Sequence, residues 1–283
     1  MMKPIRLESI RSRPRFLGSY LILGFWTVLV LAPLYVMVIN SFKPQMEIFA
    51  SPFGWPKKWN FTGYVALWKA GNFGRYFLNS LMITVSSIAG TVLLGTLAAY
   101  GLVNWRTRAS HLLSLLFIAG MMIPIRIASI NLLQIMKFLG LLDKLGSLLP
   151  IYVAMGMPMA VLILSEYLRT IPKELTQAAH MDGAGSLLIF WRIILPLARP
   201  ALATVAIFNL VNIWNDLWFP LIFIRAEDQR TLMLGVTRLF GQYQTDWTKV
   251  LATLTMATIP ILLLYLAMSK QFIKGLTAGA VKE

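Results

Sequence analysis

Cysteine is absent from the 283 residues, histidine occurs twice and acidic side chains number only 11. The first absence excludes disulfides, thiolate nucleophiles and cysteine-ligated metals, while leaving the compartment undetermined. There is no G-x-x-x-x-G-K-[ST] phosphate loop, no H-E-x-x-H and no dinucleotide fingerprint, so catalysis on a nucleotide has no foothold here. The two histidines, His111 and His180, are far apart in sequence and read as solvated loop residues rather than as ligands. Charged residues make up only 13% of the chain, against roughly a quarter in soluble domains. An ordinary soluble enzyme is excluded.

What is present instead is apolar length. Phe16 to Ile39, Tyr76 to Trp105, Leu145 to Ser165 and Val250 to Ser269 carry no charge. Leu112 to Met136 is interrupted only by Arg126, and Pro200 to Ile224 only by Asp216. Each run approaches or exceeds the ~20 residues that cross a bilayer as a helix. The expected fold class is therefore an all-α integral membrane protein with six transmembrane helices, spanning about 16–39, 76–103, 112–136, 145–165, 200–224 and 250–269. Residues 1–15 form a terminal tail, and 16–283 form a single transmembrane domain with a long internal loop at 166–199. The first run, 24 uncharged residues, exceeds the 7–15-residue core of a cleaved signal peptide, so it reads as a retained helix.

The net charge of +15 raises the question of nucleic acid, whose phosphates attract basic patches. Membrane topology accounts for it better, because Lys and Arg collect in short cytoplasmic loops. With both termini inside, 14 Lys and Arg fall on the inner segments and 11 on the outer loops. The dense tail of Lys3, Arg6, Arg11, Arg13 and Arg15 sets that orientation. The expected location is the cytoplasmic (inner) membrane, multi-pass, with both termini cytoplasmic, lipid as surroundings and no nucleic-acid partner.

Between the spans, Asn40 to Arg75 reads as an outer loop rich in turn formers and in Trp55, Trp59 and Trp68, which suit the membrane interface. Asn104 to Ser110 reads as a tight inner turn, Asn131 to Lys144 as a short outer connection and Ala226 to Lys249 as an outer loop. In the second span Ser86 with Gly90, and then Gly95 with Ala99, place small residues four apart, which lets helices approach closely. Packing within the chain accounts for them more simply than a subunit seam. No internal repeat is evident.

The inner loop 166–199 carries a distinct pattern. Pro172 with Glu174 in the following turn marks a helix start, Leu175 to Met181 provides about two turns, and Gly183 ends them. Ala178, Ala179 and Gly183 leave a face with little side-chain bulk, suited to lying in a groove on a partner. Leu187, Leu188, Phe190, Trp191 and Ile194 then form an amphipathic run able to lie on the membrane surface, and Pro196 and Pro200 redirect the chain. Spacing alone leaves open both docking and a simple interfacial helix-turn-helix.

Residues 177–196 resemble, in order and spacing, the "EAA" loop of binding-protein-dependent ABC importer permeases: Gln177-Ala178-Ala179, then Gly183, then Ile193-x-Leu195-Pro196. Trp214-Asn215-Asp216-Leu217-Trp218-Phe219-Pro220-Leu221 resembles the fifth-helix signature of carbohydrate-importer permeases, and Gln271 to Lys282 resembles their C-terminal end. The resemblance extends over essentially the whole chain and narrows to the subfamily that includes the second permease subunit of the maltose transporter. It implies the type I importer permease fold with a cytoplasmic coupling loop. It also implies ATPase-coupling roles for Glu174, Gln177, Ala178, Ala179, Asp182, Gly183, Ala184, Leu195 and Pro196. The implied partners are a second, different permease subunit, an ATPase homodimer holding the ATP and Mg, and an extracellular or periplasmic solute-binding protein. No cofactor and no metal are expected in this chain. Gln177 departs from the family's usual Glu, losing a charge and hence part of one contact to the ATPase.

Candidate substrate-pathway residues are Arg126, Asn209, Asn212, Trp214, Asn215, Asp216 and Trp218. Asn209, Asn212 and Asp216 fall at i, i+3 and i+7, one helical face, where amides and a carboxylate suit sugar hydroxyls and tryptophans suit sugar rings. Hydrogen bonding between helices uses the same residue types, and Arg126 is placed to snorkel from the outer end of its span. The expected function is ATP-driven import of a mono- or oligosaccharide by alternating access. The alternatives are a permease for glycerol phosphate or another polyol-like solute, and an ion-coupled secondary transporter.

Overall fold

In lipid every backbone N–H and C=O must be satisfied within the segment, so uncharged runs of this length fold as helices. The computed structural model describes residues 17–69, 72–105, 107–239 and 245–280, with backbone alone at 17 and 268–280. Residues 1–16 (with the basic tail 1–15), 70–71, Arg106, 240–244 and 281–283 lie outside it. Helix α1 spans Leu17–Asn40, followed by short α2 (Gln45–Ala50) and α3 (Thr62–Lys69). Next come α4 (Phe73–Asn104), α5 (Arg108–Met122), α6 (Ser129–Phe138) and α7 (Leu148–Arg169). Helix α8 (Lys173–Met181) leads to α9 (Ser186–Ile189), a π-helical turn at Phe190–Ile194 and α10 (Leu195–Leu197). Helices α11 (Arg199–Trp214), α12 (Trp218–Phe223), α13 (Leu232–Val236) and α14 (Trp247–Ala280) complete the chain.

Four of the described helices are long and apolar enough to cross a membrane, and two bent pairs raise the number to as many as six. The expected third span is one of these pairs: α5 and the segment Ile125–Phe138 meet at 85°. The cause is Pro124, which lacks an N–H and pushes Ile123 out of the helical region, to φ −87°, ψ 117°. The second bend, 74° between Ser186–Leu197 and α11, lies at Ala198 between Pro196 and Pro200.

Several sequence-based boundaries are corrected. The expected fifth span to Ile224 stops at Trp214, and Asn215 to Leu217 separate α11 from α12. The expected connection 131–144 is helical to Phe138, and the expected tail after Lys270 continues as α14 to Ala280. Both histidines lie on helices, His111 in α5 and His180 in α8. Lys43, counted with the outer-loop charges, is fully buried. Its ammonium donates to the Asn40 side chain at 2.9 Å and the Ser51 carbonyl at 2.7 Å, tying the end of α1 to the segment after α2.

Close approach of α4 and α7 organises the bundle. An added Cβ at Gly95 would sit 2.9 Å from the Ala160 methyl, one at Gly90 2.9 Å from Val153, and Ala99 is wholly buried. The small residues of α4 therefore serve packing within the chain. Phe190 and Ile194, expected on the membrane surface, are buried with Leu164, Leu168 and Ile189. Leu187, Leu188 and Trp191 remain exposed. The helix turns two of the five apolar side chains inward, where they brace the base of the loop. By contrast α1 exposes most of its length, from Tyr20 to Leu31, as an apolar helix surrounded by lipid does.

At the end of the bundle opposite α8, the segment after α12 is clamped from both sides. Asn79 donates to the carbonyls of Asp228 and Arg230, both at 2.9 Å, and Arg75 pairs with Asp228 at 3.1 Å. On the other side Asp143, in the left-handed region at φ 62°, accepts from the N–H groups of Ala226 and Arg225, each at 2.6 Å. These backbone bonds hold the Asp143 carboxyl below the ordinary aspartate value, about 3.9. A depressed folded pKa means the contribution is complete above the unfolded value and is lost only as pH falls through the folded one. Asp143→Ala is expected to lower the thermal midpoint in detergent by about 2–4 °C across pH 5–8. Asp143→Asn keeps the left-handed turn and should lose less. A midpoint that varies between pH 5 and 8 only in the wild type would contradict this.

Candidate functional site

Two regions collect the polar residues that packing does not explain. The first is α8. Pro172 precedes it with φ −58° and ψ 130°, and Glu174 lies in its first turn, where a negative charge complements the helix dipole. Its end is closed by Gly183 at φ +83°, a conformation glycine adopts without steric cost. The N–H of Gly183 reaches the His180 carbonyl at 3.0 Å and that of Ala184 the Ala179 carbonyl at 2.9 Å, a Schellman closure. The His180 ring adds a contact to the Ala184 carbonyl at 3.1 Å.

No residue of α8 is buried. Glu174, Gln177, Ala178 and Asp182 are exposed, as is Gly183 beyond them. Ala179, Ala184 and Leu195 are half-buried and pack against the core beneath, whereas Pro196 is exposed. The expected docking set thus divides into an outward face and a set that seats α8 on the bundle. The sequence reading passed over Met181, 89% exposed at the tip. A methionine there is a flexible apolar contact of the kind adaptable interfaces use. A cleft of about 450 Å³ separates α8 from the end of α4, lined by Tyr100, Asn104, Thr176, His180 and Phe190.

The second region is where the bend after α5 meets the break between α11 and α12. The Arg126 guanidinium lies 5.8 Å from the centre of the Trp218 ring, a cation–π distance. The Trp218 indole N–H donates to Ser129 Oγ at 2.9 Å. Next to Trp218, Asp216 is spent on the protein itself. Its Oδ2 accepts from the Tyr152 hydroxyl at 2.9 Å and the Phe219 N–H at 3.2 Å, and its Oδ1 accepts from the Trp218 N–H at 3.2 Å. Asn212 and Asn215 are exposed, each donating its amide back to a backbone carbonyl four residues earlier.

The shared face expected for Asn209, Asn212 and Asp216 does not form, because α11 ends at Trp214 and Asp216 lies beyond it. Asn209 is buried, donating to the Val205 carbonyl at 2.9 Å. Trp214 is also buried, with its indole on the Ala257 carbonyl at 3.1 Å and its ring edge-to-face with Phe77. Arg126, Asn212, Asn215 and Trp218 are the exposed remainder. Among the described residues no three His, Asp or Glu come together as a metal site.

Among the described residues, a helical bundle with up to six membrane crossings and an exposed capped helix between crossings defines a polytopic membrane protein. The chain belongs to the family described as binding-protein-dependent transport system inner membrane component, whose model matches residues 91–277; it is the permease kind of ABC importer subunit and not a catalytic one. It is 32% identical to the probable ABC transporter permease protein YurM of Bacillus subtilis, over 96% of this chain and 93% of that one. It is 31% identical to the diacetylchitobiose uptake system permease protein NgcG of Streptomyces coelicolor (93% and 88% covered). The melibiose/raffinose/stachyose import permease protein MelC of Bacillus subtilis is 34% identical (88% and 91% covered). The fold matches a chain of a bacterial ABC transporter that imports the acidic polysaccharide alginate, with TM-score 0.79, 22% identity, and 95% and 100% covered.

Proposed function

We propose that this permease carries a carbohydrate across the cytoplasmic membrane by alternating access, driven by ATP hydrolysed in a separate ATPase dimer. The observation that carries the coupling half of this reading is α8: without a buried residue, closed by a Schellman turn and seated on the core through Ala179 and Ala184. A helix held this firmly from one side transmits displacement of its outer face to α7 and α11. Glu174, Gln177, Ala178 and Met181 meet the ATPase, with ATP and Mg held entirely by that partner. Kinship with permeases named for oligosaccharide uptake supports the substrate class. The assembly contains a second, different permease beside this chain and a solute-binding protein at the opposite face. Both termini lie in the cytoplasm, on the α8 side. The exposed polar remainder at the broken helices lines the path, because polar side chains at membrane depth face a bundle interior or a water-filled cavity.

The absence of native cysteine makes a direct test available. A single cysteine at Ala178 should react with a membrane-impermeant maleimide only in inside-out vesicles, and bound ATPase should suppress that reaction. Ala178→Arg should abolish ATP-driven uptake while leaving the subunit folded. Labelling from the outer face, or labelling indifferent to the ATPase, would overturn the coupling assignment.

A further inference from the structure

Helices α5 and α11 end at matching depths. From the α8 end, α5 runs 15 residues and α11 runs 16 before their breaks, about 22 and 24 Å of helix. The breaks touch each other, since Arg126 of one lies over Trp218 of the other and Trp218 is held by Ser129. Non-helical backbone at this depth is tolerated only inside protein or beside a water-filled cavity. Arg126 is exposed. Among the described residues no carboxylate lies within ion-pair distance of it, and its guanidinium donates no hydrogen bond to the protein. Asp216 makes no ion pair with it; that carboxylate accepts from three donors inside the chain.

Resting on the carbohydrate-importer reading above, we infer that the transported solute carries an oxyanion and that Arg126 is the cation that receives it. The planar fork of an arginine matches a carboxylate or phosphate with two parallel hydrogen bonds. The guanidinium lies over the Trp218 ring, and its N–H groups, which donate to nothing in the protein, are left for the anion. Asn212, on the last turn of α11, and Asn215, just beyond it, both exposed, present side-chain carbonyl oxygens to hydroxyl groups of the same solute. The shared chemistry is a sugar or polyol bearing an anionic group, with a uronate carboxylate and a sugar or glycerol phosphate as its two sources.

The test uses the whole importer, with partner permease, ATPase and binding protein, reconstituted in vesicles. Uptake is measured for a uronate-containing oligosaccharide, glycerol phosphate and a neutral oligosaccharide in wild type, Arg126→Gln and Arg126→Lys. Arg126→Gln should slow the anionic solute about tenfold or more, a clearly larger factor than its effect on the neutral one. Arg126→Lys, which keeps the charge and loses the fork, should recover part of the rate. Whichever anionic solute shows this pattern identifies the source. Equal loss for neutral and anionic solutes, with the partner permease no longer co-purifying, would overturn the inference in favour of an ion pair between subunits. Anionic uptake unaltered by Arg126→Gln, or a wild type that moves only neutral sugars, would overturn it while leaving the carbohydrate-importer reading intact. Transport of glycerol phosphate alone with the Arg126 dependence would support the inference and overturn the carbohydrate reading.

Discussion

Gly156→Leu is expected to abolish accumulation of the folded protein. A Cβ at this position would lie 2.3 Å from Asn209 Oδ1, 2.7 Å from Thr91 Cγ2 and 3.0 Å from Thr91 Oγ1. Gly156 therefore sits where α4, α7 and α11 meet. Neither neighbour yields easily: Asn209 is buried with its amide committed to Val205, and Thr91 is fully buried and β-branched. Overpacking of about one methyl typically costs ~1–3 kcal/mol, so Gly156→Ala should already lower the thermal midpoint. Leucine adds three more carbons against two elements at once. Gly185→Ala, with open space around its Cβ position, serves as the control. Size-exclusion of a fluorescent fusion reads the outcome, and a monodisperse Gly156→Leu peak at wild-type height would contradict the three-helix contact.

The second large effect is expected at Asp216. Asp216→Ala removes the acceptor for the buried Tyr152 hydroxyl and for the two N–H groups that open α12. A hydrogen bond to a charged group contributes about 1.5–3 kcal/mol, and a buried donor left without an acceptor costs a similar amount. The summed loss should exceed about 3 kcal/mol, shared between destabilisation and displacement of α12. Trp218 begins that helix, so its hold on Arg126 should loosen as well. Asp216→Asn retains an acceptor oxygen and should fall between the two. Tyr152→Phe alone should be mild, and in a double-mutant cycle with Asp216→Ala the effects should be strongly non-additive. Additive losses would mean that Tyr152 and Asp216 act independently.

These two residues also show how far the amino-acid order could be read. Asp216 is the only charge in its apolar run, and that property pointed to the path; its burden turned out to be internal, on Tyr152, 64 positions away. Nothing local to the run marks that tyrosine. Trp214 and Trp218 are four apart and seemed equivalent, yet the first is sealed against α14 and the second is exposed over Arg126. In the loop, Ala178 and Ala179 are adjacent and chemically identical, and only one faces outward. The third span read as unbroken, and the 85° turn after Pro124 that places Ser129 beneath Trp218 went unseen.

The order of residues by itself determined the apolar crossings, the helix opened by Pro172 and ended by Gly183, and the family motifs. Each depends on local composition, on backbone stereochemistry or on lipid refusing unpaired backbone groups, all of which act within a few residues. Only the tertiary structure decided which polar side chains are consumed by the bundle and which remain available to a ligand or a partner. A helical period assigns residues to faces, but the neighbour that covers a face comes from elsewhere in the chain. Asn209 and Asn212 differ by less than one turn, and the approach of α7 through Gly156 made one of them core.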